Sequence, residues 1–216
     1  MSRGKPVASE SPYSVHPGVA TVQDWIASLA DKTGRSLEQW LGLIKKAGPK
    51  DQAGRREWLR REHGLGTNAA GWLAERAEGK GAEDSDPAEY LVAAVKHVDA
   101  MFGGAKAGLR PLYDELLSRC LAFNAGVKAC PCKTMVPLYR EHVIAHIKPA
   151  TRTRIDFGLA LGAMMKSGKP RMPSRLIDTG GFAKKDRITH RITVQGSRDI
   201  DDDLMKWFGR AFELDA

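Results

Sequence analysis

From Thr21 to about Glu78 the apolar residues recur at intervals of three and four, the period of amphipathic helices. Val22, Trp25, Ile26 and Leu29 mark a first helix, which Thr21 caps and Gly34 ends. Ser36 and Gln39 form a capping box for a second helix. Its Leu37, Trp40, Leu41 and Ile44 share one face, and it stops at Gly48-Pro49. A third helix is predicted over residues 51–63, with Trp58 and Leu59 inward, and a fourth after Gly66, carrying Ala69, Trp72 and Leu73. Each helix supplies one tryptophan, the large anchor by which a small bundle stabilises its core.

Residues 78–87, EGKGAEDSDP, break this pattern with charge and glycine. Helical spacing returns over residues 87–101, stops at Gly103-Gly104, and resumes over residues 109–123 with Leu112, Leu116 and Leu117 facing in. After Gly126 the period becomes two. Residues 134–140, 143–148, 153–161 and 187–195 alternate apolar and polar positions, as half-buried strands do. Residues 199–212 close the chain as a helix whose leading Asp199, Asp201, Asp202 and Asp203 complement the dipole at a helix N-terminus. The order predicts an α+β fold: a small helical bundle, then an α+β domain with a four-stranded antiparallel sheet and a C-terminal helix. The expected division is an N-terminal disordered arm over 1–18, a helical domain over 19–80, a linker over 81–88 and the α+β domain over 89–216.

Composition adds a compartment and a charge. No apolar run approaches the ~20 residues that span a bilayer, so no membrane role is expected. The N-terminus lacks the apolar stretch of a secretory signal, and three cysteines suit a reducing cytoplasm better than a disulfide scaffold. The net charge is +8, yet residues 128–198 hold 15 basic and 4 acidic groups, more than the whole excess. Such a concentration points to a polyanionic partner.

The strand periodicity shows where those cations gather. On the face opposite the apolar residues it places His146, Lys148, Arg154, Arg187 and Arg191, with Arg140 near the edge. The loop SGKPRMPSR adds Lys169 and Arg171. Clustered cations on a sheet face can hold phosphate. A secondary candidate lies in HGLGTNAAGWL, where Gly64 and Gly66 precede a helix and Arg60 and Arg61 lie just before them, an arrangement similar to helix-hairpin-helix modules.

Two other motifs carry less. Cys130, Cys132, His142 and His146 have ligand-type side chains, but the C-x-C gap is short for a zinc finger and no helix carries the histidines. On a strand, residues four apart are ~13 Å apart, too far for one ion. Asp178-Thr179-Gly180 spells the aspartic-protease D-T-G, yet a protease needs two carboxylates sharing a proton, and Lys184, Lys185 and Arg187 nearby would hold this one ionised. An Asx-type turn is the expectation.

The stretches TVQDWIASLADKTGRSLEQWLGLIKK and WLRREHGLGTNAAGWLAE resemble domain of unknown function 4287. AMFGGAKAGLRPLYDELL, CPCKTMVPLYREHVIAHIKP, TRIDFGLAL and RLIDTGGFAKKDRITHRI resemble domain of unknown function 5655. The resemblance implies a two-part bacterial cytoplasmic protein and no established activity, cofactor or catalytic residue. The expected function is therefore a non-enzymatic binding protein that engages nucleic acid or another phosphate-bearing polyanion, with no metal and no cofactor. One alternative is an enzyme or small-ligand protein with a pocket beside the sheet, using His146, His190, Asp156 and Asp178. A protein-protein interaction module is the other.

Overall fold

The computed structural model describes residues 11–166, 168 and 172–215. The chain divides into two compact units, residues 15–93 and residues 94–215, the latter joined by residues 11–14.

The first unit is helical: α1 (Pro17–Ala27), α2 (Leu29–Thr33), α3 (Leu37–Ala47), α4 (Gln52–Arg61) and α5 (Thr67–Arg76). α3 starts at the expected capping box, in which the Gln39 N–H donates to Ser36 Oγ and the Ser36 N–H to Gln39 Oε1. α1 starts five residues earlier than expected, because His16 rather than Thr21 is the cap and Nδ1 of its ring accepts from the Gly18 N–H at 2.9 Å. Burial lowers the His16 pKa, which keeps that nitrogen free to accept. Trp40 is fully buried, with its indole N–H on Thr33 Oγ1 at 2.8 Å, and it packs with Ile44, Leu59 and Leu73. Trp25 and Trp72 meet edge to face at 4.9 Å, while Trp40 and Trp58 both abut the His63 ring.

α6 (Pro87–Met101) runs from this unit into the second, where α7 (Arg110–Phe123) follows. Of the expected arm over residues 1–18, residues 1–10 lie outside the described residues; beyond them the Ser14 N–H donates to the Ala129 carbonyl at 2.8 Å, Tyr13 and Tyr113 hydroxyls lie 3.1 Å apart, and Pro17 opens α1. The sheet comprises β1 (Lys128–Ala129), β2 (Val136–Tyr139), β3 (Val143–Pro149), β4 (Ile155–Leu159), β5 (Ile177–Asp178) and β6 (His190–Val194). It is antiparallel throughout, in the order β1-β2-β3-β4-β6-β5. Six strands replace the expected four because β1 and β5 are two residues long, too short to show a period. α8 (Gly162–Lys166) follows β4, and α9 (Asp202–Glu213) ends the unit.

Alternation divides the sheet into two faces. Val136, Leu138, Ala145, Ile147, Ile155, Phe157, Leu159, Ile192 and Val194 are buried on one face, in a core shared with Leu116, Leu117, Leu204 and Phe208 of α7 and α9. Phe208 is the joint of this core, 5.4 Å from the Phe123 ring and 5.8 Å from Phe157. Truncating it leaves a cavity between helix and sheet. The expected outcome for Phe208→Ala is a loss of about 3–5 kcal/mol, read as a lower denaturant midpoint in unfolding followed through this unit.

Candidate anion-binding site

The face of the sheet away from α7 and α9 carries the polar positions of the same strands. His146 pairs with Gly158 and Gly158 with Arg191; Lys148 pairs with Asp156 and Asp156 with Thr193. Asp156 organises this group: it accepts from Arg191 Nη1 at 3.1 Å and forms an ion pair with Arg154, whose Nε lies 3.0 Å from Oδ1. Arg191 also donates to Thr193 Oγ1 at 3.0 Å. The β3–β4 turn closes through the Ala150 and Thr151 N–H groups on the Arg154 carbonyl, which leaves Arg152 exposed at the tip. Lys106 reaches the same place and donates to the Pro149 carbonyl at 2.7 Å. Around this hairpin stand Lys106, Lys148, Arg152, Arg154 and Arg191, with Asp156 as the carboxylate among them.

His146 lies among these groups but is not one of the cations. Its ring lies across Gly158, where an added Cβ would come within 2.6 Å of Nε2. Burial first, then the Lys148 charge, pushes its pKa down to about 4 against the pull of Asp156. The ring is therefore neutral at neutral pH.

Arg140 and Arg187 belong to a different place. Arg140 donates to the Phe212 carbonyl at 3.0 Å with its guanidinium 4.5 Å from the Phe212 ring, so it caps the C-terminal end of α9. Arg187 donates through Nε to the Val143 carbonyl at 3.0 Å and through Nη2 to Asp215. Asp215 also accepts from the backbone N–H groups of Glu141 and His142, at 3.0 and 2.8 Å, and its Oδ1 lies 3.1 Å from His142 Nδ1. Burial pushes this carboxyl up, but the His142 N–H, the Arg187 charge and the His142 ring together hold it below its ordinary value.

Beside Arg187 opens a cleft of about 620 Å³, with Lys166, Lys185 and Asp186 on its walls and the Phe182 ring at its edge. The loop that forms this wall is tightly built. The Gly180 N–H donates to the Asp178 carboxylate at 2.7 Å, so D-T-G is an Asx turn. Gly181 has no room for a Cβ, which would strike the Ile188 carbonyl oxygen.

Of the other candidates, Lys169 and Arg171 lie outside the described residues. Arg60 and Arg61 both pair with Glu57, Gly64 takes a φ of 66°, and Gly66 caps α5. The four titratable groups of the enzyme reading do not converge. His146 and Asp156 lie on the polar face, whereas buried His190 pairs with Asp178 across β5–β6 on the other face. Burial lowers the His190 pKa, with Asp178 opposing, so it too is held toward neutrality. Among the described residues no three His, Cys, Asp or Glu side chains gather as a metal site. Burial, with Cys132 adding, pushes the Cys130 thiol up to about 12, which leaves it a thiol rather than a thiolate.

Residues 98–215 match the family model described as domain of unknown function (DUF5655). The chain belongs to this DUF5655 family. Residues 21–78 match the model of a second domain of unknown function, DUF4287. No curated protein and no solved structure matches the chain. The DUF5655 match thus covers the basic hairpin, the cleft and the Asp215 hub, while the DUF4287 match covers α3, α4 and α5 with Arg60, Arg61, Gly64 and Gly66.

Periodicity alone did not single out Lys106 or Arg152, which lie outside the strands. The T-R-T-R run at the tip of a hairpin was the available signal for Arg152. Asp215 offered none, because its partners lie more than 70 residues away or across the sheet.

Two outcomes follow for pH and mutation. A base whose pKa falls on folding binds fewer protons when native, so the His146 contribution is present above the unfolded value near pH 6.5 and is lost as pH falls towards 4. His146→Gln should therefore flatten the fall in stability between pH 6.5 and 4, measured by urea denaturation across that range. A carboxyl with a lowered pKa contributes above the unfolded value of 3.8 and loses that contribution below it. Asp215→Asn should cost about 2 kcal/mol at neutral pH, and the difference from the parent should shrink in acid.

Proposed function

We propose that the chain is a non-enzymatic binding protein that engages a phosphate-bearing polyanion, nucleic acid foremost, through the basic β3–β4 hairpin. The observation that carries this reading is the gathering of charge there: Lys106, Lys148, Arg152, Arg154 and Arg191 stand on or beside the hairpin, and Asp156 is the carboxylate that ion-pairs with two of them. Asp156 also does something beyond neutralising charge. By holding Arg154 and Arg191 it fixes two planar donors on the strands, which reduces the conformational entropy lost when they meet a phosphate. Lys148 and Arg152 remain exposed beside them.

Phosphate contacts set position and carry no base information. The aromatic ring among these cations, His146, is packed on Gly158, so binding should show little sequence preference and a steep dependence on salt. No disulfide joins Cys120, Cys130 and Cys132, which supports action in a reducing compartment such as the cytoplasm.

The test is fluorescence anisotropy of labelled duplex and single-stranded DNA and RNA over a series of salt concentrations. Lys148→Glu with Arg152→Glu should reduce the log–log salt slope by about two and lower affinity at least tenfold. Absence of binding at low salt, or a double variant that binds like the parent, overturns the reading.

A further inference from the structure

The 620 Å³ cleft beside Arg187 is separate from the hairpin and has its own chemistry. We propose that it binds a phosphorylated ring compound of mononucleotide size, with the phosphate on Lys166 and Lys185 and the ring against Phe182. This inference does not rest on the polyanion reading, since it uses none of the hairpin cations.

Three observations carry it. First, the size falls within the ~300–1,000 Å³ usual for small-ligand pockets, and the walls are mixed in the same way. Ala160, Ala211 and Leu214 line it with apolar groups, and Phe182 stands 40% exposed, which leaves aromatic surface available to a ligand ring. Second, the cations differ in their commitments. Arg187 is tied to Asp215 and forms a fixed positive wall, whereas Lys166 and Lys185 make no ion pair among the described residues. Asp186 is the one carboxylate of the lining, an acceptor for hydroxyl or amine groups of a ligand.

Third, the backbone places Lys185 where it costs something. Lys185 is the one described non-glycine residue with positive φ, at 60°. The left-handed region is unfavourable for a side chain with a Cβ by about 1–2 kcal/mol. The conformation is imposed by its surroundings: the Lys185 N–H donates to the Phe182 carbonyl at 3.2 Å, the Asp186 N–H to the Gly181 carbonyl at 2.8 Å, and Gly181 is wedged against Ile188. A glycine would hold this turn without strain, so a lysine there adds an ammonium group at the cleft at a cost in stability. Strain of this kind gathers at ligand sites.

The experiment is calorimetric titration of the full chain with AMP, GMP, CMP and UMP, with the matching nucleosides and inorganic phosphate as controls. At least one mononucleotide should bind about tenfold tighter than its nucleoside and than inorganic phosphate. Lys185→Gly relieves the left-handed strain, so its urea midpoint should stay level or rise while nucleotide affinity falls about tenfold. Phe182→Leu should weaken the nucleotide and leave inorganic phosphate unchanged. The Lys148→Glu, Arg152→Glu variant should bind nucleotide like the parent. A 5′-phosphorylated oligonucleotide that competes with equal affinity assigns the site to strand ends, and weaker competition assigns it to the free mononucleotide. If no mononucleotide binds at millimolar concentration, if phosphate alone binds as well, or if Lys185→Gly leaves affinity unchanged, the proposal fails.

Discussion

A carboxylate with 2% of its side chain exposed is stable as an anion only when its lone pairs are filled, and Asp215 fills them from two separate parts of the chain. The turn before β3 gives two backbone N–H groups and the His142 ring, and the approach to β6 gives the Arg187 guanidinium. The end of α9 is thereby held against both. Arg140 acts in the same sense from the end of β2, capping the helix at Phe212. These contacts fix the line along which α9 crosses the sheet, and so place Phe208 between Phe123 and Phe157. They also fix Arg187, and with it one wall of the cleft.

The two clusters of positive charge separate what is continuous in sequence. Residues 128–198 read as one basic block, yet the fold sends Lys148, Arg152 and Arg154 to the β3–β4 hairpin and Lys166, Lys185 and Arg187 to the cleft. Asp156 and Asp215 are the counter-charges that sort them. Asp156 is partly buried between Arg154 and Arg191 and leaves the hairpin basic. Asp215 is buried and turns Arg187 into a structural member. A count of charges per segment has no access to that difference, because it depends on which carboxylate each guanidinium meets in space.

Much of the fold was legible because it is written in short-range patterns. The capping box at Ser36, the start of α6 at Pro87, the apolar faces of α3 and α7, and the alternation through β3, β4 and β6 all follow from residues within a few positions of one another. The misses have an equally local cause. His16 caps α1 with a ring nitrogen, outside the usual set of Ser, Thr, Asp and Asn, and β1 and β5 are too short to alternate. Within the candidate site, the sharing of a face by Lys148, Arg154 and Arg191 was readable from period two. The neutral state of His146 was not, because it comes from Gly158 on the next strand, which lets the ring lie flat and lose its water. The roles of Arg140 and Arg187 required knowing that the last turn of the chain returns to the sheet.

The strand order has a further effect on how this protein behaves among its own copies. The four longer strands, β2, β3, β4 and β6, are all interior, and the ladder ends on each side in a two-residue strand. A sheet edge templates association through its row of unpaired N–H and C=O groups, and that hazard grows with the length of the row. Here each rim offers only a stub. The 94–215 unit can therefore keep a long, apolar sheet at its centre behind two outer strands too short to template another chain, with β5 pairing to β6 at His190 and Arg191 alone.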